Sequence, residues 1–333
     1  MVNKLGSILG LAGSALAASR TSAPDGCITV SASGGDFSTV QSAVDSLSTS
    51  DSAAQCIFLD AGTYNEQVLV SSRAAQLTIY GYTTDDQTYA ANGATITESK
   101  SQADGLSNDE TATLRVKADG FRLYNVNVVN GYGEGSQAVA VSAYADSGYY
   151  GSSLEGFQDT LLSHQGNQVY VGNQIVGATD FIFGQQARSW FERNDIRVVA
   201  KSIGYITANG RESDDDSGSY YAFNNCDVSG VAGQSVPDGA YYLGRPWRDY
   251  SRVVFQSTSM SAVVNPAGWR AWSSNDAPPD TVFYAEYANS GDGYVPDSRP
   301  SSVTILNSAV TVEEVLGSGY AGEAYFDQEY FSG

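Results

Sequence analysis

Two carboxylates set in apolar surroundings are the residues best placed to do chemistry: Asp159 in GFQDTL and Asp180 in DFIFG, 21 residues apart. Phe157, Phe181, Ile182 and Phe183 flank them, where an unsupported charge is costly. Gln137 and Gln158 repeat the same interval, and Gln158 adjoins Asp159. If residues one interval apart stack at the strand spacing of about 4.8 Å, the two carboxyl groups become neighbours. They cannot then both ionise cheaply, so one holds its proton while the other stays charged if a cation or donors support it. That division suits a general acid and a nucleophile. The two amides would supply donors to a developing oxyanion, each worth roughly 3–4 kcal/mol. The competing reading is structural, because solenoids stack identical polar side chains that satisfy one another.

Elements able to hold such a stack are visible as a repeat. An aromatic or leucine is followed five positions later by an aliphatic residue at Leu123/Val128, Tyr149/Leu154, Tyr170/Ile175, Phe191/Ile196, Phe223/Val228 and Phe255/Met260. Successive members are 26, 21, 21, 32 and 32 residues apart. A period near 21 with insertions in one part of the repeat describes a parallel β-solenoid. A two-sheet sandwich would instead need hairpin turns every 8–12 residues or so. The polar segments 210–219 and 230–239 read as exposed insertions. Upstream, residues 38–47 place Val40, Val44 and Leu47 on one helical face, and Ser38 with Gln41 three positions on has the form of a capping box. Such a helix can cover the open end of the array. The tail from Pro278 reads as loop-rich, with a short helix at 311–316 and no second domain.

Composition fits a globular chain of 333 residues, 42% hydrophobic and only 16% charged. The first 17 residues have one lysine, an apolar run from Leu5 to Leu16 and small residues at Ala15 and Ala17. They read as a secretory signal, leaving residues 18–333 as one domain in a secreted, extracellular protein. Of three cysteines, Cys27 and Cys56 each open a short β-type run, and an oxidising compartment would allow a disulfide between them, with Cys226 a buried thiol. A net charge of −20 excludes nucleic acid and anionic membrane as partners. The single histidine, His164, and the lack of G-x-S-x-G leave a Ser-His-Asp hydrolase without support. No P-loop or zincin pattern is present, so no metal and no cofactor is expected.

GTYNEQV (62–68), QAVAV (137–141), GFQDTL (156–161), DFIFG (180–184) and LGRPW (243–247), in that order, give the chain a strong resemblance to the pectin methylesterases, and among them to secreted fungal ones. The resemblance implies an all-β fold, a right-handed parallel β-helix, and hydrolysis of galacturonan methyl esters in pectin with release of methanol. It makes Asp180 the nucleophile, Asp159 the acid and base, Gln137 and Gln158 the oxyanion hole, and Arg245 the partner of Asp180. Physically, a permanently charged fork can keep Asp180 ionised and leave the proton on Asp159. The resemblance also implies sugar contacts at Trp247 and at a tryptophan of the 268–272 segment, taken here as Trp269. Phe183 and Thr179, beside Asp180, complete the expected substrate set. Tyr64 and Glu66 are read as structural. Leu162 stands where plant members commonly have tyrosine, which removes a sugar contact made there. Two other functions fit parts of the pattern: a glycoside hydrolase, since carboxylates about 5 Å apart suit retaining chemistry, and a non-catalytic wall-binding solenoid. A monomer is expected.

Overall fold

The computed structural model describes residues 18–213, 218–273 and 277–333. The proposed signal over residues 1–17 lies outside them. The chain winds as a right-handed parallel β-helix whose coils stack into sheets of eleven, seven and eight strands among the described residues. The expected rungs are in register: Leu123, Tyr149, Tyr170, Phe191, Phe223 and Phe255 are successive partners in the eleven-strand sheet. From Tyr149 to Phe255 their rings stack with centroids 4.8, 4.6, 4.3 and 4.3 Å apart. Val128, Leu154, Ile175, Ile196, Val228 and Met260 form the matching ladder in the eight-strand sheet. Both ladders fill the interior of the coil.

The five-residue offset between the ladders follows from the corner between these sheets. Each coil turns there through one residue with positive φ: Asn125, Gly151, Gly172, Arg193, Asn225, Ser257 and Ala288. One left-handed residue redirects the chain without a long loop, and in five of these seven coils the next position is a buried polar residue: Ser152, Asn173, Asn194, Thr258 and Asn289. Asn173 donates its side-chain amide to Tyr149 O (3.0 Å) and accepts from Ser152 N (2.8 Å). Asn194 does the same for Tyr170 O and Asn173 N, both at 2.8 Å. These amides pair backbone groups that a tight buried corner would otherwise strand.

The first end of the coil is covered. Helix Val40–Ser46 buries Val40, Ala43 and Val44 over the first coil. Its cap differs from the expected Ser38–Gln41 box. Thr39 is the N-cap, and Glu66 accepts from Val40 N and Gln41 N, both at 2.8 Å. Gln41 instead ties the helix to Leu69 through both ends of its amide. Tyr64 donates to Val30 O or Asp60 O, each 2.9 Å away, so Tyr64 and Glu66 are structural as read. Cys27 and Cys56 form a disulfide beside the first strand pair. Cys226 is buried, and burial pushes its thiol up to about 12.

The tail holds more order than its composition suggests. Strand Phe283–Tyr287 and strand Val303–Ile305 extend the eleven-strand sheet. Helix Val312–Leu316 then starts a return across the outer face of that sheet, packing Val315 and Leu316 on Trp190, Tyr220 and Val254. Further on, Tyr325 and Phe326 cover Tyr124, Tyr150, Val169 and Val171. Tyr150 Oη donates to Tyr325 O (2.7 Å), Tyr124 Oη to Asp327 Oδ2 (2.6 Å), and Arg193 to Phe331 O and Tyr330 O (2.8 and 2.9 Å).

Candidate active site

The site residues come from the corner that leads into the seven-strand sheet. Gln158 bridges Thr179, Asp159 N donates to Thr179 O (3.1 Å), and Leu161 partners Ile182. This register stacks Asp159 against Asp180 in adjacent coils. One coil earlier Ala138 N donates to Gln158 O (3.1 Å) in the same pattern, which sets Gln137 over Gln158. A bulge follows, in which Ala140 N and Val141 N share Thr160 O, and pairing resumes with Val141 opposite Leu161. Asp159 and Asp180 both adopt positive φ, 66° and 51°. That conformation is uncommon for residues other than glycine and collects at functional sites.

Gln137, Gln158, Asp159 and Asp180 line one cleft of about 300 Å³, together with Arg245 from far along the chain. Arg245 follows strand Tyr241–Gly244, which pairs with strand Gly204–Asn209 and so lies two strands from Asp180. Its guanidinium forks onto the carboxylate, Nε to Oδ1 at 2.8 Å and Nη2 to Oδ2 at 2.6 Å. The fork is held between two rings, Tyr205 at 4.0 Å and Trp272 at 4.2 Å, and Nη1 donates to Trp272 O (3.2 Å). Tyr205 in turn stacks on Tyr242. Stacked, bidentate arginine is far less free to move than a lone cation.

The carboxyl groups differ in their surroundings. Asp159 is 7% exposed and Asp180 6%. Burial pushes the Asp159 carboxyl well above its usual range, the nearby Asp180 adds to the rise, and Arg245 only partly opposes it. Burial raises Asp180 too, but there the Arg245 hydrogen bonds and charge pull directly against it. Asp180 therefore gives up its proton first. Among the described residues the side chains of Asp159, Gln137 and Gln158 hydrogen-bond to no protein group, so all three remain available to something in the cleft.

The other expected contacts divide. Phe183 and Trp247 line the cleft, with ring centroids 6.1 Å apart. Trp269 does not reach it: the residue is 1% exposed, stacks on Tyr284 at 4.1 Å and donates Nε1 to Glu286. The tryptophan of that segment that faces the cleft is Trp272, 39% exposed. Thr179 is half-buried at the strand start, engaged in the Gln158 bridge, and does not line the cleft. Leu162 packs with Phe183 beneath the surface, and His164 packs at a tilt on Tyr144 and does not line the cleft. Gln102, Asn108 and Ala208 also border the cleft, and no periodicity marks them. A larger groove, about 650 Å³, lies over the eight-strand sheet and holds Glu155 and Arg197 but no facing carboxylate pair. Among the described residues no group of three or more His, Cys, Asp or Glu could hold a metal ion.

Among known proteins the chain is similar to members of one family. The family described as pectinesterase matches residues 27–315. A pectinesterase from Aspergillus aculeatus is 48% identical over 96% of this chain and 96% of its own. The crystal structure of a pectin methylesterase from Aspergillus niger superposes with a TM-score of 0.86 at 42% identity, covering 94% of this chain and 100% of that one. The carrot pectin methylesterase, at 27% identity, gives 0.80 over 92% of this chain and 98% of its own. A profile spanning nearly the whole coil and relatives this close place the chain in the pectinesterase family.

Proposed function

We propose that Asp180 attacks the methyl-ester carbonyl of galacturonan, with Asp159 as acid and base and Gln137 and Gln158 as the oxyanion hole. As a member of its family the chain is an esterase acting on pectin. The observation that carries the proposed residue roles is the asymmetry of the carboxylate pair. Arg245 forks onto Asp180 alone, and Asp159 is left buried beside it with no donor of its own.

In the proposed sequence a lone pair of Asp180 forms a bond to the ester carbon, and the carbonyl electrons move onto oxygen. The amide N–H groups of Gln137 and Gln158 receive that oxyanion. As the carbon–methoxy bond breaks, Asp159 gives its proton to the departing oxygen and methanol leaves. Asp159, now charged, takes a proton from water, and the hydroxide attacks the acyl group. Asp180 departs as a carboxylate, and the carboxylic acid left on the sugar loses its proton to solvent. Trp247, Phe183 and Trp272 offer ring faces to pyranose rings along the cleft. Secretion through a signal over residues 1–17 belongs to the same proposal, supported by the Cys27–Cys56 disulfide, a feature of oxidising compartments.

Incubation with methylated pectin tests the reading. Methanol released without new reducing ends is expected, and abolished in Asp180→Asn and Asp159→Asn. Undiminished release from both variants would end the mechanism.

A further inference from the structure

We infer that Trp269, Glu286 and Arg299 are positioning residues for the Arg245–Asp180 pair, an inference that rests on the mechanism proposed above. Glu286 and Arg299 form an ion pair whose side chains are 0% and 2% exposed. The Glu286 carboxylate accepts from Arg299 Nε (2.7 Å) and Nη2 (3.2 Å), from Asn289 Nδ2 (3.3 Å) and from Trp269 Nε1 (2.9 Å). Arg299 Nη1 also donates to Asn265 O (3.2 Å) and Pro266 O (2.7 Å). The segment from Asn265 to Trp269 is thus gripped by both members of the pair.

That segment is the outer neighbour of the strand leading to Arg245. Leu243 N donates to Gly268 O (2.7 Å), Gly244 bridges Trp269, and Arg270 N donates to Gly244 O (3.3 Å). The approach is close. A Cβ on Gly244 would meet the Trp269 ring at 3.2 Å and Thr207 Oγ1 at 2.1 Å, so only glycine fits between them. Three residues beyond Trp269, Trp272 provides one face of the Arg245 sandwich and a carbonyl for Nη1. A continuous set of contacts therefore runs from the buried pair, through the indole and a short strand, to the guanidinium on Asp180.

Stability alone does not explain the pair. A buried ion pair is often no better than apolar residues of equal volume, because both charges must be stripped of water. What it adds here is direction: Glu286 fixes the indole by its N–H, and with it the path of residues 268–272 past Arg245. Loosening that path leaves the fork free to tilt, and Asp180 would then hold its charge less well against Asp159, its acidic neighbour in the cleft, and the Tyr284 hydroxyl behind it.

The experiment compares Trp269→Phe and Glu286→Gln with Asp180→Asn and the parent, measuring kcat, KM and the pH profile on methylated pectin. Trp269→Phe keeps an aromatic ring at the buried position beside Tyr284 and removes the N–H together with part of the indole, whereas Glu286→Gln leaves the indole whole and changes only its acceptor. We expect kcat to fall about tenfold with KM within twofold, and the acid limb of kcat/KM to move to higher pH. Glu286→Gln should shift both in the same direction, and if it does not fold, Trp269→Phe decides alone. Unchanged kcat and acid limb in Trp269→Phe, with only a lower Tm, would overturn the inference while an inactive Asp180→Asn leaves the mechanism standing. Methanol release by Asp180→Asn would overturn the mechanism and this inference with it.

Discussion

Two polar rows run along this coil at the same interval, and they have opposite fates. At the corner leaving the eleven-strand sheet, Asn173 and Asn194 sit one coil apart, fully buried, with amide donors and acceptors spent on backbone groups. At the corner entering the seven-strand sheet, Gln137 and Gln158 are also one coil apart, yet their amides bond to no described protein group and face a cleft. Both corners use positive φ at non-glycine residues. What separates them is satisfaction. A closed row stabilises the coil, whereas an open one keeps hydrogen-bonding capacity in reserve for a ligand.

The contrast breaks most sharply at Asp180. Asp180→Asn should lower kcat for methanol release by roughly 10⁴-fold or more while the far-ultraviolet spectrum stays that of the parent. Gln158→Ala should cost about 10²–10³ in kcat, read from steady-state kinetics, with KM nearly unchanged because the donor acts in the transition state. A loss confined to KM would make Gln158 a binding residue only. Asn194→Ala should do the reverse. It strands Tyr170 O and Asn173 N, each at about 1–3 kcal/mol, so the urea midpoint falls while kcat per folded molecule is retained.

The smallest effect expected is on stability against pH. The folded Asp159 carboxyl has its pKa raised, so the folded state binds its proton more tightly than the unfolded chain does. Its contribution is then fully present below the unfolded value and is lost as pH rises through the folded one. Asp159→Asn should raise Tm by a few degrees near neutral pH, with the difference vanishing toward pH 4. A variant equally stable at both pH values would place Asp159 in a wetter environment than the cleft described here.

What could be read from residues alone was whatever recurs. The ring ladder from Tyr149 to Phe255 and the Asp159–Asp180 stack are set by intervals, and intervals survive in a sequence because each coil repeats its neighbour. Roles fixed by a single distant partner were not legible. Trp269 and Trp272 look alike in GWRAW, and only Glu286, 17 residues beyond Trp269, decides which indole turns inward. Tyr205 belongs to no motif, and its stacking on Arg245, 40 residues on, depends on the pairing of its strand with Tyr241–Gly244. The Thr39 cap differs from the expected box by one position because Glu66, from another element, already holds the first helical N–H groups.

The tail that crosses the outer face has a consequence for how the molecule comes apart. A stack of coils in which each touches only its neighbours can fray from an end, losing one rung at a time. Here residues 312–331 are laid back over strands from the middle of the stack, tying Arg122, Tyr124, Tyr150 and Arg193 to the last residues of the chain. The final rungs cannot peel without first lifting that strap, which merges end and centre into one cooperative unit. Unravelling by increments is replaced by a single steep barrier, and persistence in a harsh medium becomes a question of rate.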